Sequence, residues 1–323
     1  MKRRQVLLGF AAGVSLCSAV RSFAQRKPVV IGLLDAGERL AWWANFRKQM
    51  HALGHVEGKS VLYEPRYARG KYTELPSLVD DLLRRGVDVI VTAGTEASLS
   101  ASRATETVPI VTATGGDHVS RGLALSLAQP GRNLTGMTSI ASELTGKRLE
   151  LMREIQPKLT RAAVVWHATN VGSMPQMREL EAATRNAKIA LHNVGVRKAP
   201  ELADAFASAA QKGADAVFVV MGALTFGERH NIAALALKHR LPTMHGAAEM
   251  VEAGGLASYG TDYYDLFRRA AIYVDKILKG AKPGELAIEQ PSKFDLLVNL
   301  RTAKALALAI PQAVQLRATR VID

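Results

Sequence analysis

Thr114-Gly-Gly-Asp-His118 sets a carboxylate and an imidazole directly behind two glycines, at the end of a short β-branched run. Asp117 and His118 could transfer a proton, hold a metal, grip a cationic group on a ligand, or only cap a helix start. Other short polar stretches also follow apolar runs: Asp35-Ala-Gly37, Gly94-Thr-Glu96, His167-Ala-Thr-Asn170, Met221-Gly222, His245-Gly246 and Ser258-Tyr-Gly-Thr-Asp262. Catalysis lacks its usual parts among them. No Gly-x-Gly-x-x-Gly follows the first apolar run and no Gly-x-x-x-x-Gly-Lys-Ser/Thr occurs, so a nucleotide enzyme would have no phosphate cradle. No Gly-x-Ser-x-Gly elbow supplies a hydrolase nucleophile. His118, His167 and His245 lie in separate segments without a second ligand at helical spacing, which argues against zinc. The chain reads as a non-catalytic binder with no cofactor and no metal.

The elements that would carry these stretches alternate. Strands are expected at Val29–Leu34, Val61–Tyr67, Val87–Thr92, Pro109–Ala113 and Leu134–Thr138, with helices at Arg39–Leu53, Tyr72–Arg85, Glu96–Thr105 and Val119–Ala128 between them. After a helix at Ser142–Ile155 the rhythm restarts. Strands at Ala162–His167, Leu191–Val196, Ala216–Met221, Thr243–His245 and Leu256–Tyr259 alternate with helices at Met174–Ala187, Pro200–Gln211, Thr225–His239 and Ala247–Glu252. Continuously apolar strands separated by helices mean parallel sheets covered on both faces. The fold class is therefore α/β, two doubly wound parallel-sheet lobes. A long helix, Asp262–Lys279, an extended segment, a strand at Phe294–Asn299 and a helix at Thr302–Leu308 pass back between the lobes, as a hinge requires. Lobe I is expected to comprise residues 25–138 and 262–285, lobe II residues 139–261 and 286–323. Ligands of such sheets bind beyond the carboxyl ends of the strands, so both sets of polar stretches face one cleft.

The N-terminus reads as an export signal. Lys2, Arg3 and Arg4 precede the apolar run Val6–Val20, and Ser22-Phe23-Ala24 offers small residues for a cut after Ala24, making residues 1–24 a signal peptide. The run is shorter than the ~20 residues that span a bilayer. Arg3-Arg4-Gln-Val-Leu resembles a twin-arginine signal with Lys2 in place of the usual Ser or Thr. Leu16 stands where a lipobox before Cys17 takes Gly, Ala or Ser, so an unlipidated protein is expected. Cys17 is the sole cysteine, and the mature chain would owe nothing to disulfides or thiolates. Removing Lys2, Arg3, Arg4 and Arg21 takes the net charge from +13 to +9. The remaining Lys and Arg are scattered, without a run of five, which reads as a solvated surface and gives no nucleic-acid partner. About 300 mature residues exceed what one core usually serves.

Several longer segments are shared with a known family. They are Leu53-Gly-His-Val-Glu-Gly58, Val87-Asp-Val-Ile-Val-Thr-Ala-Gly-Thr95, Leu127-Ala-Gln-Pro-Gly-Arg-Asn-Leu-Thr-Gly136, Gly146-Lys-Arg-Leu-Glu-Leu151, Gly254-Gly-Leu-Ala-Ser-Tyr-Gly260 and, most specific, Tyr273-Val-Asp-Lys-Ile-Leu-Lys-Gly-Ala-Lys-Pro283 with Glu289-Gln-Pro291 and Val298-Asn-Leu-Arg-Thr-Ala-Lys304. In these the chain resembles the periplasmic substrate-binding proteins of ABC transporters that include tryptophan- and other aromatic-amino-acid-binding members. The resemblance implies the type I periplasmic-binding fold, a periplasmic monomer, and delivery of a small solute to an ABC permease in the inner membrane. An amino acid or related aromatic acid is the implied ligand class. A sensor on the same fold, feeding a membrane receptor, is the alternative. The family's usual Asp-Pro-Val stands here as Asp117-His118-Val119, and its usual Asn-Pro as part of His167-Ala-Thr-Asn170.

Ten residues are the expected ligand contacts: Asp35, Trp42, Gly94, Thr95, Glu96, Gly116, Asp117, Asn170, Tyr259 and Asp262. Asp117 is either an N-cap accepting from backbone N–H groups or, as the resemblance implies, the partner of a ligand ammonium. Gly116 lets the backbone approach the ligand. Gly94-Thr95-Glu96 opens a helix whose free N–H groups suit a carboxylate, or is an ordinary cap. Of Trp42 and Trp43 one belongs to the core and the other could stack on an aromatic ligand. Tyr259 and Asp262 are cleft wall or hinge.

Overall fold

Val29–Asp35 (β1) opens the computed structural model, which describes residues 27–323; the expected signal peptide and its expected cut after Ala24 lie outside the described residues. Val-Val-Ile-Gly-Leu-Leu has no polar side chain to give to water, so it sits mid-sheet with both faces covered. It pairs in parallel with Val61–Tyr67 (β2) and Val89–Ala93 (β3). Ile110–Thr114 (β4) and Leu134–Gly136 (β5) complete a parallel sheet of order β2-β1-β3-β4-β5. The chain reverses direction across the sheet at β1, which puts connecting helices on both faces.

The second sheet holds Arg161–His167 (β6), Ala190–Val196 (β7), Ala216–Val219 (β8), Thr243–His245 (β9), Ala257–Thr261 (β10), Phe294–Asn299 (β11) and Arg320–Ile322 (β12), in the order β12-β11-β10-β9-β8-β6-β7. Its pairings are parallel except β10 with β11. The protein is thus two doubly wound α/β lobes.

Three passages join the lobes. One leaves β5 and reaches the helix Thr145–Ile155; one runs from β10 into the helix Tyr263–Leu278; one runs from Glu289 to β11. The helix Tyr263–Leu278 is amphipathic and lies on lobe I, where Phe267 meets Trp43 edge-on at 4.9 Å and Trp43 meets Phe46 at 5.7 Å. Such aromatic pairs add about 0.5–1.5 kcal/mol each beyond the area they bury. The third passage starts later than the expected boundary at 285. Thr135 Oγ1 donates to Leu286 O, Ile288 N to Leu127 O and Glu289 N to Gly136 O, which keeps residues 286–289 on lobe I.

Other departures from the periodicity have local causes. Val119–Ala128 is no helix. One turn closes from Leu123 N to His118 O, and Gly122, at φ +69°, then bends the chain away. Its apolar residues are spent differently: Leu123 and Ala124 are buried and Leu125 is exposed. The expected helix Thr225–His239 divides into Ala223–Gly227 and Arg229–Lys238. The helix Gln312–Arg317 and the edge strand β12 were too short to show a period.

Candidate functional site

Beyond the carboxyl ends of both sheets the lobes face each other across a cleft with about 690 Å³ of empty space, open solvent included. Lobe I contributes Ala36 and Arg39 after β1, Trp42 of the helix Leu40–Ala52, Tyr72, Gly94-Thr95-Glu96 after β3, and Thr114 to Asp117 after β4. Lobe II and the passages contribute Ser139, Ala141, Ser142, Asn170, Gly172, Gln176, Met221, Gly222 and Tyr263, among others. Three of these residues carry charge: Arg39, Glu96 and Asp117. Three carry aromatic rings: Trp42, Tyr72 and Tyr263.

The lobes are closed on one another. Glu96 Oε1 accepts from Gly172 N at 2.9 Å, Arg121 Nη2 donates to Val171 O at 2.7 Å, and Tyr72 Oη lies 3.2 Å from His167 Nδ1. A Cβ on Gly172 would fall 2.8 Å from Thr95 Oγ1, so the close approach of the lobes there needs glycine. At the back of the cleft Trp42 stacks on Tyr263 at 4.6 Å and 11°, meets Phe226 of lobe II at 4.7 Å, and donates from Nε1 to Glu249 Oε1 at 2.5 Å.

Seven of the ten expected residues meet on this wall: Trp42, Gly94, Thr95, Glu96, Gly116, Asp117 and Asn170. Gly94, at φ +101°, turns the chain from β3 into the helix Thr95–Ala104, and Thr95 Oγ1 accepts from Gly116 N at 2.9 Å. Asp117 caps a turn, its Oδ1 accepting from Val119 N at 3.1 Å and Ser120 N at 3.0 Å. Burial pushes its carboxyl up, but these hydrogen bonds outweigh it and hold the pKa below the usual value. Both backbone bonds fall on Oδ1, and the Ser120 side chain also lowers the carboxyl's pKa as a hydrogen-bond donor. Asn170 is buried, and its Oδ1 has no partner among the described residues. Trp42 is fully buried among protein rings and presents only part of itself to the cavity.

The other three lie elsewhere. Asp35 is wholly buried behind the wall, accepting from Gly37 N (2.6 Å), Arg39 N (3.0 Å), Trp43 Nε1 (3.0 Å) and Arg39 Nη1. It aims Arg39, whose Nε and Nη2 donate to nothing among the described residues. Tyr259 packs its ring beside Phe294, 6.3 Å away, and does not line the cavity. Asp262 caps the helix Tyr263–Leu278 by accepting from Asp265 N, and faces an outer groove near Arg320. His118 belongs to the core: burial lowers its pKa to about 4, and Nε2 lies 3.3 Å from Met137 O. The described residues hold no cluster of three metal-ligating side chains.

Sequence reasoning missed Arg39, Tyr72, Ser139, Ser142, Gln176 and Tyr263. For Arg39 a signal existed, since it stands four residues past Asp35 in the same strand-to-helix loop. Ser139 and Ser142 lie on a passage, Tyr72 opens a 3-10 turn, and Gln176 and Tyr263 sit in the first turns of helices. Whether these face the cleft depends on how the lobes meet.

The Trp42–Glu249 contact carries a pH dependence. Burial raises the Glu249 pKa above its ordinary 4.5, opposed by hydrogen bonds from its own backbone and from Trp42. The folded protein therefore binds more protons than the unfolded chain at and above that value, and this side chain's cost grows as pH rises through the window. Glu249→Gln keeps an acceptor for Trp42. Its melting temperature is expected to exceed wild type at neutral pH, with the gain lost once pH falls below 4.5. An equal gain at both pH values, by scanning calorimetry, would remove the buried carboxylate as its cause.

A protein-family model described as ABC transporter substrate binding protein matches residues 29–322. The tyrosine-binding protein of Clostridioides difficile (strain R20291) is 24% identical over 261 residues, 81% of this chain and 75% of its own. The crystal structure of a conserved domain protein from Vibrio cholerae O1 biovar El Tor superposes with a TM-score of 0.86 at 27% identity, covering 91% of this chain and 100% of that one. An ABC domain from Streptococcus pneumoniae, solved in complex with L-Trp, superposes with a TM-score of 0.83 at 23% identity, covering 92% and 100%.

Proposed function

The chain belongs to the ABC transporter substrate-binding protein family, and from that premise we propose that it captures an α-amino acid with an aromatic side chain between its lobes and delivers it to a permease. One observation carries the reading: the cavity wall combines an arginine, two carboxylates and three aromatic rings. A zwitterion needs both signs. Its ammonium is matched by the Asp117 carboxylate and the open acceptor Asn170 Oδ1. Its carboxylate is matched by the unused donors of Arg39 and by the first N–H groups of the helix Thr95–Ala104. Trp42, Tyr72 and Tyr263 suit a flat apolar side chain. Tyrosine and tryptophan, the ligands named for two similar proteins, are of this kind.

Binding energy favours closure only through contacts that the closed form makes and the open form lacks. Here the wall draws on both lobes, so ligand and closure reinforce each other. Export follows from the leader: residues 1–24 direct the chain to the periplasm and are removed, and the mature protein acts there as a non-catalytic monomer. Isothermal titration of residues 25–323 against the L-amino acids is expected to give saturable binding of L-tyrosine or L-tryptophan, with a scattering profile that matches the closed structure at saturation. Heats indistinguishable from dilution for every α-amino acid would refute the reading.

A further inference from the structure

The helix Thr145–Ile155 buries Thr145, Arg148, Leu149, Leu151, Met152 and Ile155. Arg148 is the odd member: a guanidinium on an otherwise largely apolar stripe, 6% exposed. Its Nε donates to Tyr259 O at 2.7 Å and its Nη1 to Ala141 O at 2.8 Å. Both acceptors are neutral, and among the described residues no carboxylate forms an ion pair with it. Burial lowers its pKa to about 10, which leaves it charged at neutral pH. A buried charge without a counter-charge is costly, and such groups concentrate where a site uses the field they create.

Its position fits that use. Tyr259 belongs to β10, and Gly246 directly follows β9, so the guanidinium sits at the carboxyl edge of the lobe II sheet, where ligands of these folds bind. Gly246 makes the room, since a Cβ there would lie 3.2 Å from Nη2. Ala141, whose carbonyl Arg148 holds, is part of the cavity wall. So is Tyr263, whose buried phenol feels the charges of both Arg148 and Arg39.

We propose that Arg148 determines ligand specificity from behind the wall: its uncompensated charge selects solutes that present a carboxylate to the cleft over their neutral isosteres. Arg148 is a positioning and field-setting residue and touches no ligand. A unit charge about 12 Å from a ligand carboxylate, at an effective dielectric of ~20, changes affinity by roughly tenfold. The inference rests on the cleft being the binding site, and holds whether or not the ligand carries an α-ammonium.

The test is calorimetric affinity for matched acids and amides: L-tyrosine with L-tyrosinamide, L-tryptophan with L-tryptophanamide, and phenylacetate with phenylacetamide. Wild type is expected to prefer the acids. Arg148→Gln should lose about tenfold of that preference by weakening acid binding while amide binding holds, and Arg148→Lys should keep it. Arg148→Met, of similar volume, gives the same comparison if the glutamine variant does not fold. If Arg148 only staples the interlobe passages, acids and amides weaken together and lysine fails to rescue; that outcome overturns the proposal. Equal wild-type affinity for acid and amide also overturns it, while leaving the amino-acid reading in place. Binding of phenylacetate without either amino acid removes the amino-acid reading and supports this one.

Discussion

Replacing Asp35 with alanine is expected to lower the unfolding free energy by about 3–5 kcal/mol, the cost of stranding one member of a buried ion pair. Its carboxylate is completely buried and collects four donors, two from the backbone and one each from Arg39 and Trp43. Alanine removes every acceptor at once. The Arg39 guanidinium, itself 7% exposed, then has no counter-charge on its own side of the wall. Asp35→Asn keeps the shape and an acceptor but not the charge, and should fall between alanine and wild type. Affinity should fall in both variants, because Arg39 is no longer held towards the cavity. Urea denaturation with unchanged m and a lower midpoint would report the loss. A shift below about 1 kcal/mol would mean that the pair roughly balances its own desolvation and that Arg39 is held by its packing against Trp42 and Phe226.

The sheets were legible because their chemistry is local. β1, β3, β4, β6 and β8 are apolar runs that no exposed position would accept, and their alternation with helices leaves few arrangements. Where the chain crosses between lobes, local pattern says less. Asp262 could read as cleft or hinge, and the structure spends its carboxylate on a helix cap. Tyr259 alternates with Ser258 along β10, and the pleat turns its ring towards Phe294. Val119–Ala128 had helical spacing, yet a segment can bury Leu123 and Ala124 through turns as well as through a helix. Arg148 illustrates the reverse case. Its place on a buried helical stripe could be read from the sequence, as a charge where the period asks for an apolar side chain.

Asp117→Asn is expected to weaken ligand binding by about 30-fold while leaving the melting temperature nearly unchanged. The two carboxylate oxygens divide the work. Oδ1 caps the turn at Val119 and Ser120, a role that an asparagine oxygen fills equally well. Oδ2, which takes neither backbone bond, is the oxygen expected to meet a ligand ammonium in the closed cleft. Losing one partner of a desolvated charge pair costs ~2–5 kcal/mol. Asp117 is exposed while the cleft is empty, so the low end of that range applies to a pair that a bound ligand covers, and ~2 kcal/mol corresponds to about 30-fold. Asp117→Ala removes both functions and should add a stability loss of about 1 kcal/mol, the usual worth of such a cap. Calorimetric affinity and melting temperature, measured on both variants, separate the roles. If asparagine binds like wild type and alanine only melts earlier, Asp117 is a turn cap and the ammonium must be held by other acceptors on the wall, Glu96 and Asn170 foremost.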